Sequence, residues 1–317
     1  MPDLYLVTGG AGFIGSHITE RLLTDGHRVR VMDNFSTGFR HNLSPLSEKF
    51  GNQLEVLEAD VSIKKDCEVA VKGVTYVIHE AALASVPRSL ADPLASHHNN
   101  ATGTLNMLIA AREESVKKFV YAGSSSVYGD SKKLPKDESM HTHPLSPYAL
   151  AKLDGEEYLR LFNMHYGMET ITLRYFNVFG PRQDPDSPYA AVIPIFVSKL
   201  LSGQSPVIFG DGLQSRDFTF IDNVVDANLA ACRAEGVSGV YNIACGDRTT
   251  LVELLDMIQT ILGTNIPAQF EDARPGDVKH SMADFSRACD ELGYKPRVSF
   301  ADGLTPTVEY FKNLQSV

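Results

Sequence analysis

The sequence predicts an α/β fold, a doubly wound parallel sheet with a smaller, interleaved carboxy-terminal lobe. Three observations point there: short apolar runs at regular intervals, helix-period segments between them, and a glycine-rich turn at the first strand–helix junction. Tyr5 to Thr8 is a short β-rich run, after which Phe13, Ile14, Ile18 and Leu22 recur on one face of a helix. Arg28 to Met32 reads as a second strand, ended by Asp33-Asn34. Leu54 to Leu57, Tyr76 to His79 and Lys118 to Tyr121 repeat the short apolar pattern, and Asp92 to Arg112 reads as helix, with Leu94, Leu105 and Leu108. Alternation of this kind builds a parallel sheet with right-handed crossovers, and it places ligands beyond the carboxyl ends of the strands. Near Asn177 the character changes. Gly180-Pro181-Arg182 through Ser187-Pro188 is turn-rich, as is Ser202 to Gly212 around Val207-Ile208-Phe209. Val240 to Ala244 reads as a buried strand that returns to the main sheet. The expected division is residues 1–176, with return segments within 216–248, for the first lobe and 177–317 for the second.

Composition narrows the function classes. The 317 residues are 43% hydrophobic and 21% charged, which excludes collagen-like, disordered and small disulfide-stapled chains. Lys and Arg number 29 against 39 for Asp and Glu, a formal net charge of −10. Such a chain is a poor general binder of nucleic acid or of an anionic membrane. Cys67, Cys232, Cys245 and Cys289 form no CxxC pair and no zinc-ligand spacing, so reduced thiols are expected and no metal site. No run approaches the ~18 apolar residues of a membrane span. The amino terminus lacks the pattern of a secretory leader, and the expected location is cytoplasmic.

Thr8-Gly9-Gly10-Ala11-Gly12-Phe13-Ile14-Gly15 spaces glycines as GxxGxxG after a strand and at the opening of a helix. Glycines there let backbone approach a pyrophosphate, whose charge meets the positive helix terminus. Asp33 lies about 20 residues on, at the end of the next strand, where a carboxylate holds a ribose 2′-OH. A carboxylate there repels a 2′-phosphate, so the expected dinucleotide is NAD rather than NADP, bound by a Rossmann-type domain. A P-loop is excluded because Ser16 stands where that motif needs Lys.

Tyr148-Ala149-Leu150-Ala151-Lys152 puts a phenol and an ammonium four residues apart, on one face if helical. A phenol titrates near ~10 in water, and a neighbouring ammonium together with an oxidised nicotinamide would lower it. Tyr148 is then a candidate base, with Lys152 also available to ribose hydroxyls. Gly123-Ser124-Ser125-Ser126-Val127-Tyr128 follows a strand and supplies hydroxyls at its carboxyl end. His79-Glu80 opens like a zinc-protease motif but lacks the second His. His97, His98, His141 and His143 read as solvent-facing or structural.

With these motifs in place, the chain resembles the extended short-chain dehydrogenase/reductases, and among them the nucleotide-sugar 4-epimerases. The resemblance covers nearly the whole chain. It rests on the glycine turn, Asp33 to Gly38, Asp60-Val61, His79 to Ala82, Ser124 to Gly129, Tyr148 to Lys152, Arg174 to Asn177, Ser215 to Asp217 and Arg274 to Asp277. It implies a tightly held NAD, contacted by Gly9, Gly12, Phe13, Ile14, Gly15, Asp33, Asn34, Ser36, Gly38, Asp60, Val61, Ala81, Ala82, Asn100, Tyr148, Lys152 and Tyr175. It also implies a catalytic set of Ser124, Tyr148 and Lys152, with Ser125 or Ser126 as possible substitutes for Ser124. Dehydratase relatives carry an Asp-Glu pair where this chain has Ser125-Ser126, and decarboxylating relatives carry a Glu nearby, so both chemistries are disfavoured.

The resemblance further implies a UDP-sugar. Arg216 and Arg274 match phosphate ligands, for which a guanidinium fork is suited. Asp277 matches a ribose ligand, Asn177 a diphosphate or sugar ligand, and Phe209 a neighbour of uracil. Ala84 and Ser85 open a loop, Ala84 to Ser89, that resembles epimerases preferring N-acetylated sugars, as do Gln183 and the segment running to Ala191 and Val192. Ser281 stands where glucose/galactose enzymes carry a bulky Tyr. The expected activity is interconversion of UDP-GlcNAc and UDP-GalNAc, with UDP-Glc and UDP-Gal as a further substrate pair. The rivals are a UDP-glucose or UDP-glucuronate 4-epimerase and a non-catalytic NAD-binding regulator. Relatives commonly pair through helices near Asp92 to Arg112 and Ala149 to His165. A homodimer is therefore expected, with Leu150, Leu153, Leu161 and Phe162 supplying apolar surface.

Overall fold

A computed structural model describes residues 3–185, 187, 190–272 and 279–314. Seven strands form the central sheet: β1 (Leu4–Thr8), β2 (Arg28–Asp33), β3 (Leu54–Glu58), β4 (Tyr76–His79), β5 (Lys118–Ser124), β6 (Thr170–Tyr175) and, after four short strands, β11 (Gly239–Ile243). Their order is β11-β6-β5-β4-β1-β2-β3 and every pairing is parallel. The chain winds outward from β1 to β3, crosses back to β4 and winds outward again. The crevice between the carboxyl ends of β1 and β4 is therefore the switch point at which such sheets take ligands.

Alternation along the strands supplies two cores. Tyr5, Val7, Val29, Val31, Val120 and Ala122 face one side, with Ile18 and Leu22 of α1 (Phe13–Thr24). Leu4, Leu6, Val77, Phe119 and Tyr121 face the other. That second face is covered by α3 (Lys64–Ala70), α6 (Gly103–Glu113) and α7 (Pro147–Tyr166), which follow α2 (Ser44–Phe50), α4 (Val86–Ala91) and α5 (Pro93–His97) in the chain. Strands buried on both faces explain the near-continuous apolar runs seen in the sequence.

The segment read as helix from Asp92 to Arg112 is helical throughout, from Pro93 to Glu113, but changes its hydrogen-bond pattern part-way. Asp92 caps α5, a π-turn occupies His98–Thr102, and α6 follows. The polar run His98-Asn99-Asn100 sits in the π-turn, where the Asn100 side chain bonds the Leu83 backbone through both its amide nitrogen and its carbonyl oxygen. Leu94 is exposed, not a core position.

The later part of the chain carries β7 (Val178–Phe179), α8 (Val192–Leu201), β8 (Val207–Phe209), β9 (Ser215–Arg216), β10 (Thr219–Phe220) and α9 (Ile221–Arg233). After β11 come β12 (Thr249–Thr250), α10 (Leu251–Leu262), β13 (Gln269–Glu271), α11 (Ser286–Leu292) and α12 (Phe300–Leu314). The short strands pair two by two, β7 with β10, β8 with β13 and β9 with β12. Helix α9 packs on α1 and so covers the first face of the main sheet. Among the described residues no helix is long and apolar enough to cross a membrane. All four cysteines are free, Cys67 and Cys232 buried and the other two half-buried.

Candidate active site

The glycine turn forms a backbone cradle. A Cβ at Gly15 would lie 2.3 Å from the Gly9 carbonyl oxygen, and one at Gly9 would lie 2.8 Å from the backbone of Ala81. Only glycine permits that approach of α1 to the turn and of the turn to the segment after β4. The first turn of α1 carries no acidic residue and no capping side chain, so its N–H groups face outward toward an anion. A cavity of about 260 Å³ opens at this point, with Gly9, Gly12, Phe13, Ile14 and Gly15 along one wall. Asp33, Asn34, Ser36 and Gly38 form the second wall, and Val61, Ala81, Ala82 and Ala84 also line the cavity. An elongated anionic dinucleotide fits these residues.

Several expected cofactor residues, Asp33 of the wall among them, are engaged within the protein. Asp33 accepts the backbone N–H groups of Ala11 (2.9 Å) and Phe35 (2.8 Å), which ties its own loop to the glycine turn. Asp60 turns its carboxylate to Asn34 (2.8 Å) rather than into the cavity. Asn100 is buried and fixes the backbone of Leu83, so it shapes the wall while Asn99 lines it. Tyr175 directs its hydroxyl to Glu80 at 2.7 Å and does not line the cavity.

The catalytic candidates meet at the carboxyl end of β5. Ser146 accepts the N–H of Ala149 at 3.1 Å and Pro147 occupies the first helical position, so α7 starts where a cap and a proline dictate. Tyr148 and Lys152 consequently fall on the inward face, one turn apart. Lys152 donates to the Ala122 carbonyl at 2.7 Å and stands 4.8 Å above the Tyr121 ring. Gly155 allows this depth, since a Cβ there would lie 2.5 Å from the Tyr121 hydroxyl oxygen. Of the three serines, Ser124 is the one that acts on Tyr148, lowering its phenol, while Ser126 supports Ser124 through its hydroxyl (2.8 Å) and its N–H (3.2 Å).

The electrostatics differ from the expectation. Burial raises the Tyr148 phenol, the Ser124 hydroxyl lowers it, and the Glu80 carboxylate raises it again. Lowering by Lys152 does not dominate, because that ammonium is turned to a backbone carbonyl. Burial lowers Lys152 itself to about 8, with the charge on Glu80 opposing the fall. Sequence reasoning assigned Glu80 no role; its signal was a carboxylate directly before two small residues at a strand end.

A second cavity of about 510 Å³ lies over the later strands. Asn177, Ala191, Val192, Phe209 and Arg216 line it, with Gln214 and Glu271 as polar members not foreseen. Gln214 donates to the Phe209 carbonyl at 2.6 Å and so fixes the backbone that carries the ring. Arg216 donates to the carbonyls of Ser215 (3.1 Å) and Lys279 (3.3 Å). Arg274 and Asp277 lie outside the described residues. Gln183 does not reach this cavity but donates to the Val178 carbonyl, and Ser85 spends its hydroxyl on capping α4. Ser281 is buried, with its N–H on the Ser215 carbonyl at 3.0 Å. Two residues on, Ala283 packs with Val127, Tyr128 and Phe176. The Ser281 segment therefore runs between the Arg216 cavity and the serine turn.

Asp217 joins these pieces. Its carboxylate accepts the N–H groups of Cys245, Gly246 and Ala283, each at 3.1 Å. Burial pushes its carboxyl up to about 6 against the pull of those donors. A raised acid favours the fold fully below its ordinary 3.8, and that contribution is lost as pH rises through about 6. Asp217→Asn is expected to flatten this part of the stability profile, read as denaturation midpoint against pH. Because the amide offers one acceptor oxygen, it should also lower stability by about 1–3 kcal/mol.

Residues 5–244 match the NAD dependent epimerase/dehydratase family. The chain belongs to that family. Within it, the chain is most like UDP-sugar 4-epimerases of the extended short-chain dehydrogenase/reductase type. A UDP-glucose 4-epimerase of Mycolicibacterium smegmatis is 39% identical over 311 residues, 97% of this chain and 98% of the relative. The structure of a UDP-N-acetylglucosamine 4-epimerase from Methanobrevibacter ruminantium, in complex with UDP-N-acetylmuramic acid, superposes with a TM-score of 0.94. That protein is 43% identical, over 99% of this chain and all of the other. A Thermus thermophilus UDP-glucose 4-epimerase in complex with NAD superposes with a TM-score of 0.88 at 34% identity, covering 98% and 99% of the two chains. As a member of this family the chain uses NAD, and the cradle, the uncapped helix terminus and the Asp33 loop are the features that suit it.

Proposed function

We propose that this epimerase interconverts UDP-GlcNAc and UDP-GalNAc, with residues 1–176 and returning segments of 216–248 holding NAD and 177–317 holding the UDP-sugar. Tyr148 takes the proton from the sugar 4-OH, and Ser124 hydrogen-bonds the same oxygen. Lys152, fixed by Ala122, keeps a positive charge beside the phenolate and reaches ribose hydroxyls. When bound, NAD supplies a reversible acceptor for the C4 hydride. The 4-keto sugar turns over in the site before the hydride returns, Tyr148 gives its proton back, and no net redox change results. Arg216 meets the diphosphate together with Arg274, Asp277 meets a ribose hydroxyl, and Phe209 lies along the uracil.

The observation that carries the N-acetyl reading is Ser281, a small side chain on the segment between the Arg216 cavity and the serine turn. Its size leaves volume for a 2-acetamido group where a Tyr would fill it. Incubating the protein separately with UDP-GlcNAc, UDP-Glc and UDP-GlcA and resolving the epimers tests this directly. UDP-GlcNAc is expected to give the highest kcat/KM, and a clear preference for either of the others overturns the assignment.

We further propose a homodimer through α4, α5 and the outer face of α7. Leu94 is 80% exposed, and Leu90 and Leu150 are also open to solvent. Phe162, expected on that surface, is instead part of the core with Tyr121 and Leu159.

A further inference from the structure

Glu80 follows β4 directly and stands at the wall of the cofactor cavity. It is not left to wander there. Its Oε1 accepts the Tyr175 hydroxyl at 2.7 Å, and the Tyr175 oxygen in turn accepts from Asn228 Nδ2 at 2.8 Å. Asn228 sits fully buried on α9, its amide also held by the Val224 carbonyl at 2.9 Å. The chain of contacts thus runs from the core of one sheet face, past the end of β6, to a carboxylate at the switch point. A residue needed only for packing at this place would be apolar; a carboxylate that costs desolvation calls for another account.

We propose that Glu80 is a positioning residue whose carboxylate, aimed by Tyr175 and Asn228, sets the charge environment in which Tyr148 and Lys152 hold their protons. This rests on the assignment of those two residues as the proton-handling pair. Glu80 follows the His79–Tyr121 pair of β4 and β5 and so comes level with Ala122, whose carbonyl holds the Lys152 ammonium at 2.7 Å. The titratable groups that act with it are Lys152 and Tyr148 from α7 and Tyr175 from β6. Behind Tyr175 lies the Cys232 thiol of α9. The adjacent His79 is neutral, locked between Thr8 (2.7 Å) and Thr104 (3.1 Å) with burial lowering it to about 3. The negative charge on Glu80 holds Lys152 protonated and resists phenolate formation at Tyr148. Burial moves Glu80 itself up to about 7, so this charge develops in the neutral range. The carboxylate therefore opposes early ionisation of Tyr148 and early loss of the ammonium proton.

Glu80→Gln keeps the shape and the bond to Tyr175 while removing the charge. In the NAD-loaded protein, the ultraviolet titration of the Tyr148 phenolate, with Tyr148→Phe as the blank, is expected to move about one pH unit toward acid in Glu80→Gln. Both limbs of the kcat profile should move the same way. Tyr175→Phe withdraws the bond that stabilises the Glu80 charge and should give a smaller shift of the same sign. An unmoved titration in both variants overturns the proposal, as does a uniform fall in kcat with unchanged limbs. A shifted titration in protein that epimerises no UDP-sugar would leave the proposal standing and reject the substrate assignment instead.

Discussion

Tyr148→Phe is expected to lower kcat for epimerisation by about 10³-fold, within the range that a positioned acid–base group supplies. The loss should fall on the chemical step alone. Phenylalanine keeps the ring that fills the buried space beside Ser124, while Lys152 keeps its bond to Ala122. The glycine cradle is untouched, so bound NAD, read by extraction and absorbance, should remain at wild-type occupancy. Substrate KM should change little, because the phenol acts on one oxygen while the diphosphate is held elsewhere. Epimerisation at an unchanged rate would remove Tyr148 from the mechanism. A loss of cofactor together with activity would instead make its role structural.

Ser281→Tyr should separate the two sugar classes. Ser281 is 8% exposed and its backbone is pinned to Ser215, so a phenol there cannot swing away by moving the chain. The expected direction is toward the space between the Arg216 cavity and the serine turn. A 2-acetamido group would compete for that volume, whereas a 2-hydroxyl would not. Turnover of UDP-GlcNAc is expected to fall by about 100-fold or more, with UDP-Glc turnover retained, a discrimination of the size that steric exclusion in a pocket provides. Overpacking a buried site costs about 1–3 kcal/mol, and the retained UDP-Glc activity is the internal check that the variant is folded. Undiminished turnover of UDP-GlcNAc would remove the pocket argument.

Much of the dinucleotide half was legible because its determinants are local. The glycine turn, the strand ending in Asp33, and Tyr148 with Lys152 are each read from a few neighbouring residues. Ser146-Pro147, just before Tyr148, marks where the helix begins, so the shared face of the pair follows from spacing alone. What stayed hidden depends on strand order. Glu80 and Tyr175 are separated by 95 residues and meet only because β4, β5 and β6 are neighbours with their carboxyl ends aligned. Nothing in the composition of either segment points to the other. The π-turn at His98–Thr102, within a helix that was itself legible, was not foreseen for a related reason, since periodicity cannot register an Asn whose partner is the distant backbone of Leu83. The second cavity was legible only as separate motifs, and Gln214 carried no chemical signal until its bond to Phe209 was seen.

The seating of α7 against Tyr121 has a wider consequence. One aromatic ring serves as the stop that Gly155 rests on and as the floor beneath the Lys152 ammonium. The depth of the helix, and with it the placement of Tyr148 against Ser124, is fixed by a contact within the protein's own core. The proposed reacting groups are thus held in place by the fold itself, and little binding energy has to be diverted into assembling them.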